Sequence, residues 1–202
     1  MGFKVAPTDF GHLGVFPEHS LLFASMQKLL ISRKEPRVLN LFAYSGGATL
    51  ACAKAGAKVC HVDASKGIVS SARENAGLNH FLDKPIRWII EDVKKFLKRE
   101  VKRGSFYEAI ILDPPSFGRG NKGEVFKIEE DIIELLGLCK NLLIENALFL
   151  LFTTHTSGIT PIVIQNLMKQ LLPKGKIESN ELLLPSENGF FTPYGSFAWW
   201  LP

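Results

Sequence analysis

The sequence contains few cysteines and no long apolar run, and both shortages exclude classes of protein. Its three cysteines, Cys52, Cys60 and Cys139, are widely spaced within apolar stretches, so they form neither a zinc-binding pattern nor a disulfide framework. Apolar runs such as residues 147–152 are too short to cross a bilayer. The chain opens without a secretory signal, and Ala6 stands where a myristoylation signal needs Ser or Thr. We therefore expect buried cysteines, no metal, no membrane association and a cytoplasmic location.

The net charge of the chain is small but unevenly distributed. The 202 residues carry a formal charge of +4 with a pI near 8.9, which favours a polyanionic partner only slightly. Many basic residues are concentrated in residues 84–103, which form either a solvated helix face or a nucleic-acid contact. Taken by itself, the stretch fits a solvated face better. Its basic residues are Lys84, Arg87, Lys94, Lys95, Lys98, Arg99, Lys102 and Arg103.

Short apolar runs alternate with amphipathic stretches, as in a parallel sheet covered by helices on both faces. The last two predicted strands have no helix between them, which indicates an antiparallel hairpin at one edge. The sequence therefore predicts an α/β fold, a doubly wound, mostly parallel seven-stranded sheet with an antiparallel edge hairpin. The predicted strands are residues 37–42, 58–63, 86–90, 109–112, 147–153, 176–184 and 196–201. The predicted helices are residues 20–31, 48–55, 66–78, 128–144 and 161–172, with a Lys-rich helix ending near residue 102.

No repeat or low-complexity linker divides the chain. Residues 1–35 are predicted to form an N-terminal segment and helix that pack on one domain, residues 36–202. In a doubly wound sheet the ligand binds beyond the carboxyl ends of the strands, where the strand order reverses. The segments that directly follow the predicted strands are therefore the candidate site.

Two adjacent glycines, Gly46 and Gly47, follow the first predicted strand. Without a Cβ atom the backbone can turn sharply and approach a ligand, and the amides of the next helix can hold a carboxylate. A tight strand-to-helix turn without a ligand uses the same residues. Ala48 and Ala51 occupy later positions of the dinucleotide-binding glycine pattern, which argues against a nicotinamide dehydrogenase.

Carboxylates end the second and third predicted strands. Asp63 has the spacing of a residue that accepts hydrogen bonds from both ribose hydroxyls, or it caps the next helix. Because Ser65 can supply that cap, we favour the ribose role for Asp63. Glu91 and Asp92 either accept from an adenine amino group or start a helix, where the helix dipole favours acids.

The fourth predicted strand is followed by Asp113, Pro114, Pro115, Ser116 and Phe117, and then by a Gly-rich loop over residues 118–123. The prolines fix the backbone and leave carbonyls free to accept hydrogen bonds. The Asp113 carboxylate adds an acceptor, and Phe117 can stack on a flat ring. These features predict a rigid seat for a nitrogenous base, although the prolines alone would also serve to end a strand.

These motifs, in this order and spacing, resemble those of the ribosomal RNA large-subunit methyltransferase family. The resemblance runs from Gly11 to Thr154 and is carried by residues 42–47, 62–65, 72–75 and 113–117. Residues 14–18 resemble the segment that precedes the catalytic domain in that family and folds towards the cofactor.

The resemblance implies that the cofactor is S-adenosylmethionine, with S-adenosylhomocysteine as product. It assigns the cofactor's methionine part, ribose and adenine to the turns after the first three strands, while the chemistry of the loop after the fourth strand suits the acceptor. The cofactor-binding residues are then Tyr44, Ser45, Gly46, Gly47, Asp63, Ala64, Ser65, Glu91, Asp92 and Asp113, and the catalytic residues are Asp113, Pro114, Pro115 and Phe117.

The sequence departs from the family at two points. Members that methylate cytosine C5 carry a cysteine nucleophile after the fifth strand, whereas residues 153–157 contain none. His155 in this segment is either a base or a histidine that is merely hydrogen-bonded. The small N-terminal RNA-binding domain common in the family does not appear in this sequence. The main source of RNA affinity in the family is therefore missing here or is supplied by another part of the protein.

We therefore expect a methyltransferase that acts on a base in RNA, with ribosomal RNA favoured, at nitrogen rather than by cysteine-dependent C5 chemistry. RNA is the expected partner. The alternatives are a methyltransferase that acts on protein or a small molecule, and a non-catalytic nucleic-acid-binding module.

Overall fold

The structure is a computed structural model that describes residues 1–4, 14–120 and 123–202. Within these ranges the chain forms a short 3₁₀ helix, Pro17–His19, followed by alternating helices and strands. The helices are α1 (Ser20–Leu30), α2 (Gly47–Lys54), α3 (Lys66–Leu78), α4 (Val93–Lys102), α5 (Ile128–Leu142) and α6 (Pro161–Leu171). The strands are β1 (Arg37–Leu41), β2 (Lys58–Asp63), β3 (Ile86–Ile90), β4 (Ala109–Leu112), β5 (Phe117–Arg119), β6 (Val125–Lys127), β7 (Phe149–Thr154), β8 (Lys176–Pro185) and β9 (Phe191–Leu201).

Seven strands form one sheet in the order β3-β2-β1-β4-β7-β9-β8. Strands β1, β2, β3, β4 and β7 pair in parallel, while β9 is antiparallel to both β7 and β8. The predicted doubly wound sheet with its antiparallel edge hairpin is confirmed. Chain order reverses between β1 and β4, where Leu41 lies opposite Leu112. A ligand is therefore expected beyond these two strand ends.

The core consists of two layers, one on each face of the sheet, because successive residues of a strand point to opposite faces. On β1, Leu39 and Leu41 belong to the layer under α4, α5 and α6, while Val38 belongs to the layer under α1 and α2. Helix α1 contributes Leu22, Met26 and Leu30, which are at most 6% exposed, to the second layer. The predicted N-terminal helix thus packs against the sheet and α2.

The predicted loop over residues 118–123 is only partly a loop. Strands β5 and β6 form a two-stranded ribbon in which Gly118 lies opposite Phe126. Phe126 is buried against Phe42, with the ring centroids 5.1 Å apart, and this contact anchors the ribbon. Three-residue strands are too short for a periodic pattern to reveal them. Residues 121–122 of the predicted loop, and residues 11–13 of the family resemblance, lie outside the described residues.

Polar side chains cap the N-termini of helices α3 and α4. The Ser65 side chain caps α3 by accepting from the backbone N–H of Ile68, as the sequence predicts. Asp92 caps α4 in the same way, with its Oδ1 atom 2.9 Å from the backbone nitrogen of Lys95. None of the helices in the described residues is both long and apolar enough to cross a membrane.

Candidate functional site

A cleft of about 570 Å³ opens at the carboxyl ends of β1, β2 and β4. This volume is within the range of small-molecule sites. A smaller cavity of about 50 Å³ lies beside it, towards α1, and shares Phe16, Phe42, Tyr44 and Asp113 with the cleft. The predicted site residues that line the cleft are Tyr44, Asp63, Ala64, Ser65, Asp92, Asp113, Pro114 and Pro115. Ser45 and Gly47 line the smaller cavity.

The turn after β1 has a strained backbone. Phe42 and Tyr44 have φ values of 53° and 48°, in the left-handed region that bulky side chains rarely adopt. Such outliers persist only where the surrounding structure holds them, and they cluster at ligand sites. Here the backbone N–H of Tyr44 donates to Asp63, and the Asn75 side-chain amide donates to the Ser45 carbonyl at 3.0 Å. The turn is therefore fixed from two sides.

The two glycines of this turn allow helices to approach it closely. Gly46 has φ +91°, and a Cβ added there would lie 3.2 Å from the Cβ of Ala72 on α3. A Cβ on Gly47 would lie 3.2 Å from the Phe23 ring of α1. Gly46 lines neither cavity, so its visible role is the turn and its packing against α3. Gly47 combines helix packing with a place in the cavity wall.

Asp63 lies at the end of β2, in the wall of the cleft. Its Oδ2 atom accepts from the backbone N–H of Tyr44 at 3.1 Å, and its Oδ1 atom accepts from that of Ser65 at 2.9 Å. The backbone N–H of Ala64 also donates to this carboxylate, which has about four acceptor sites in all and so retains capacity for a donor from the cleft. Burial raises the pKa of Asp63, and the backbone hydrogen bonds oppose that shift. Since Ser65 caps α3, Asp63 is not needed as a cap.

The two acids after β3 have different positions. Asp92 lines the cleft as well as capping α4. Glu91 lines neither cavity and forms a two-pronged ion pair with Arg99, so its carboxylate is already engaged. The structure therefore brings Asp92, but not Glu91, to the candidate site.

The loop after β4 forms another part of the cleft wall. Oδ1 of Asp113 accepts a 2.6 Å hydrogen bond from the Thr153 hydroxyl at the end of β7. The hydroxyls of Ser116 and Thr156 lie 2.8 Å apart, which ties the loop to the segment after β7 a second time. Phe117 is half exposed on β5 and lies outside the cleft lining, with the Arg119 guanidinium 5.7 Å from its ring. Asp113, Pro114 and Pro115 are brought together, and Phe117 lies outside this group.

A carboxylate that the sequence did not single out lies beneath the cleft. Glu18, in the 3₁₀ helix, is 2% exposed, and its Oε1 lies 2.8 Å from Nε2 of His155. Burial by itself raises the pKa of Glu18, but hydrogen bonds to His155 and the backbone reverse this, and the net shift is downward. Burial lowers the pKa of His155, while Glu18 and the charge of Asp113 outweigh it and raise the pKa. The two residues therefore form a hydrogen-bonded pair in which each favours the charged form of the other.

Glu18, His19 and His155 also place one potential metal ligand each within 4.8 Å of one another. A metal ion there would have to break the hydrogen bond between Glu18 and His155. The rings of Phe16 and His19 pack on His155, with centroids 5.0 and 5.3 Å away, and enclose the pair. We therefore treat the group as hydrogen-bonded rather than metal-binding.

Comparison with known proteins identifies the family. A family model for S-adenosylmethionine-dependent methyltransferases matches residues 14–169, which include every strand that lines the cleft. The chain belongs to this family. The methyltransferase resembles a solved SAM-dependent methyltransferase from Agrobacterium tumefaciens with a TM-score of 0.95 and 36% identity, over 99% of this chain and 67% of that one. The SMU.776 structure, which is complexed with SAH, matches with a TM-score of 0.79 and 26% identity, over 98% of this chain and 53% of that one.

Curated relatives of the methyltransferase confirm the resemblance found in the sequence. The ribosomal RNA large subunit methyltransferase K/L of Pseudomonas aeruginosa is 37% identical over 133 residues, which are 65% of this chain and 17% of the relative. The protein of the same name from Shewanella oneidensis is 31% identical over 183 residues, or 85% of this chain and 25% of the relative. The chain thus spans a quarter or less of the length of these relatives.

The methyltransferase is an enzyme that uses S-adenosylmethionine, and the cleft fits this cofactor. The fit rests on Asp63, a half-buried carboxylate in the wall with remaining capacity to accept from ribose hydroxyls. Asp92 and Val93 lie next along the wall and offer a carboxylate beside an apolar surface. When bound, the cofactor supplies an electrophilic methyl group, and the residues around it must orient an acceptor and exclude water.

The basic stretch of the methyltransferase is largely neutralised by neighbouring acids. Lys94 pairs with Asp131 and Glu134, Lys98 with Glu134, and Lys95 with Glu124. Arg99 and Arg103 also form ion pairs, with Glu91 and Glu100. The predicted solvated helix face describes this stretch better than a surface for nucleic acid.

The three cysteines of the methyltransferase are buried and reduced, as expected from the sequence. Burial raises the pKa of Cys52 and Cys139 to about 12 and that of Cys60 to about 11. A buried thiol with a raised pKa is a poor nucleophile because the reactive species is the thiolate.

Proposed function

We propose that this methyltransferase transfers its methyl group to a nitrogen of a base in RNA, with ribosomal RNA as the favoured acceptor. The observation that carries the proposal is the Asp113-Pro114-Pro115 loop, which lines the same cleft as Asp63 at the end of β4, with β1 between their two strands. The curated relatives, which are named as ribosomal RNA large subunit methyltransferases, support the acceptor class.

The loop offers hydrogen-bond acceptors that suit the amino group of a base. The Asp113 carboxylate and the Pro114 carbonyl are acceptors, and neither proline has a backbone N–H to repel a donor. The bonds from Thr153 and Thr156 hold the loop, so its acceptors are fixed before the substrate arrives. Prior fixing of this kind is what an in-line transfer requires, because misplacement by about 1 Å can cost about a hundredfold in rate.

Nitrogen is favoured over carbon because covalent C5 chemistry needs a thiolate at the cleft. Residues 153–157, which follow the end of β7, contain no cysteine. Cys52, Cys60 and Cys139 are buried in the core and their pKa values are raised, so none is available as a nucleophile.

For the cofactor, we propose that the turn of Tyr44, Ser45, Gly46 and Gly47 holds the methionine part. The Asp63 carboxylate would accept from the ribose hydroxyls, with Ala64 and Ser65 beside it. Asp92 would face the adenine. Glu91 is a weaker candidate for this role because Arg99 already binds its carboxylate.

The edge hairpin offers a contact surface for a large acceptor. Ser196 of β9 lies opposite Thr154, the last residue of β7, so the hairpin tip continues past the end of β7 on the cleft edge of the sheet. Phe190, Phe191 and Tyr194 there are 73%, 63% and 49% exposed. Exposed aromatic rings stack on unpaired bases, which makes the tip a contact for single-stranded RNA that does not depend on cations.

The test of the proposal is methyl transfer from tritiated S-adenosylmethionine to total RNA of a strain that lacks the gene, followed by nucleoside analysis. We expect label in one N-methylated nucleoside. The variant Asp113→Ala should abolish this label, while Asp83→Ala, an exposed acid at the opposite end of the sheet, should not. Label in protein or small molecules but not in RNA would overturn the proposal in favour of another acceptor class.

A further inference from the structure

We infer that His155 is a catalytic residue that takes the proton released by the acceptor nitrogen, and that buried Glu18 is the residue that positions it. The inference rests on the proposed transfer to nitrogen. It assigns a chemical role to the N-terminal segment, whose helix α1 packs on one face of the sheet.

The geometry places the imidazole between the buried carboxylate and the cleft. Glu18 is 137 residues away in the sequence, yet its Oε1 is 2.8 Å from Nε2 of His155. The His155 ring itself lines the cleft together with Asp113 and Pro114, the residues proposed to hold the acceptor base. Glu18 therefore engages Nε2 of a histidine that also lines the space in which the acceptor would react.

Charge around the ring also suits a proton acceptor. The titratable groups that face it are Glu18 and His19 from the 3₁₀ helix and Asp113 from the loop after β4. A neutral imidazole that donates from Nε2 to Glu18 has Nδ1 as its unprotonated nitrogen. The two carboxylates then stabilise the imidazolium after it takes a proton, and they raise the pKa of His155 towards the range that suits a base at neutral pH.

Methyl transfer to the acceptor nitrogen conserves atoms and charge. The N–C bond forms from the lone pair of the acceptor nitrogen while the C–S bond breaks, and the pair of that bond stays on sulfur. Sulfur loses its positive charge and the methylated nitrogen gains it, which makes a proton already bound to that nitrogen acidic. His155 takes this proton, Glu18 balances the resulting imidazolium, and the proton later passes to water. Neither an oxidant nor a reductant is needed.

The interaction of Glu18 with His155 is tested by NMR titration of the protein with its histidines labelled with carbon-13 at Cε1. The signal of His155 is assigned by its loss in His155→Gln. We expect the conservative change Glu18→Gln to lower the pKa of His155 and His80→Asn, at an exposed histidine in the turn after α3, to leave it unchanged. A pKa of His155 that is the same in Glu18→Gln and wild type overturns the inference.

The chemical role is tested by single-turnover methyl transfer to total RNA of the deletion strain across a range of pH. The wild-type rate should rise with pH through the pKa of His155 measured by NMR, and in Glu18→Gln this inflection should move down with that pKa. His155→Gln should remove the inflection and lower the rate by about a hundredfold or more, the contribution typical of a general base. Its affinity for S-adenosylhomocysteine, measured by calorimetry, should stay unchanged.

A wild-type rate and pH profile in His155→Gln overturns the inference even if RNA is the acceptor. If wild type labels no RNA at all, the proposed function fails instead, and the same variants are compared with dialysed total-cell extract as acceptor. Loss of folding in a variant is detected separately by its circular dichroism and melting temperature. Glu18→Gln preserves the shape of the side chain and is therefore the variant expected to disturb folding least.

Discussion

The backbone N–H of Tyr44 donates to Oδ2 of Asp63 at 3.1 Å, and this bond joins the strained turn after β1 to the end of β2. The left-handed conformation of Tyr44 brings its N–H to the carboxylate. One side chain thus shapes the turn proposed for the methionine part and faces the space proposed for the ribose.

The first prediction follows from this double role. Asp63→Ala should weaken binding of both S-adenosylmethionine and S-adenosylhomocysteine by about tenfold or more, since a hydrogen bond to a charged group contributes about 1.5–3 kcal/mol. Calorimetry measures both affinities. Saturating S-adenosylhomocysteine should raise the melting temperature of wild type more than that of the variant. The exposed control Asp83→Ala should bind as wild type does, and binding of NADH in place of either ligand would contradict the assignment of the cleft.

The sequence predicted the sheet well because central strands are nearly continuous apolar runs between clear turn residues, as at residues 109–112 and 147–152. The sequence could not show which of two neighbouring residues at a strand end faces the cleft. Asp92 lines the cleft and Glu91 does not, and Ser116 and Gly118 line it while Phe117 does not. Which member of such a run faces the ligand depends on how the strand end is rotated in the fold, and composition carries no information about that.

Glu18 was missed for a related reason. A single acid between Pro17 and His19 has no periodic partner in the sequence, and charged residues are almost never fully buried without a partner. Its partner His155 is supplied by a strand end 137 residues away. Only the assembled sheet brings the two together.

The second prediction concerns covalent chemistry. The methyltransferase should form no stable adduct with RNA that contains 5-fluorocytosine, because trapping requires a thiolate at the base and all three cysteines are buried. Intact-mass spectrometry after incubation with RNA and S-adenosylmethionine is the measurement. A cysteine-dependent C5 methyltransferase serves as the positive control. An adduct mapped to Cys52, Cys60 or Cys139 would mean that the core opens during catalysis and that carbon is the target.

The third prediction is the pH dependence of stability from the Glu18 and His155 pair. The raised pKa of His155 stabilises the fold fully below its ordinary value of 6.5, and this contribution is lost as pH rises through the folded pKa. The lowered pKa of Glu18 contributes above its ordinary value of 4.5 and is lost as pH falls through the folded pKa. The pair therefore stabilises most between about pH 4.5 and 6.5.

Melting curves of wild type and Glu18→Gln at pH 5.5 and 8.5 check this sign. We expect Glu18→Gln to cost about 1.5–3 kcal/mol at the lower pH, as for a hydrogen bond between charged groups, and clearly less at the higher pH. Glu74→Gln is the matched control, because Glu74 pairs with Lys4 at an exposed site where ion pairs contribute little. A loss that is larger at pH 8.5 than at pH 5.5 would show that the pair is not ionised in the folded protein.

The fourth prediction concerns the tip of the edge hairpin. The double change Phe190→Ser and Phe191→Ser should raise the KM for total RNA by about tenfold, because stacking of a base on an aromatic ring contributes about 1–3 kcal/mol. Affinity for S-adenosylhomocysteine should not change, since neither ring lines the cleft. Phe106→Ser, another exposed phenylalanine but at the opposite end of the sheet, is the control. Unchanged kinetics in the double variant would remove the hairpin tip from the proposed RNA contact.

The last prediction concerns the loop after β4, where Asp113 and Phe117 have unequal positions. Asp113 lines the cleft and is held by Thr153, so Asp113→Ala should cut the methyl-transfer step by about a hundredfold or more through misplacement of the acceptor. Phe117 is 50% exposed outside the cleft, so it can stack only on a base that extends past the cleft edge. Phe117→Ala should then weaken use of RNA by about tenfold, and leave single-turnover chemistry at saturating RNA unchanged.

The matched control for Phe117 is Phe106→Ala, because Phe106 is 48% exposed and lies before β4, away from the cleft. Both variants should melt close to wild type, since neither removes a buried ring. Cofactor affinity separates the two sides of the site: Phe117→Ala should leave it intact, and Asp113→Ala should change it only slightly. If Phe117→Ala instead abolished cofactor binding while methyl transfer per bound cofactor stayed intact, the ring would belong to the cofactor side, and the acceptor would have to be held by Asp113, Pro114 and Pro115 alone.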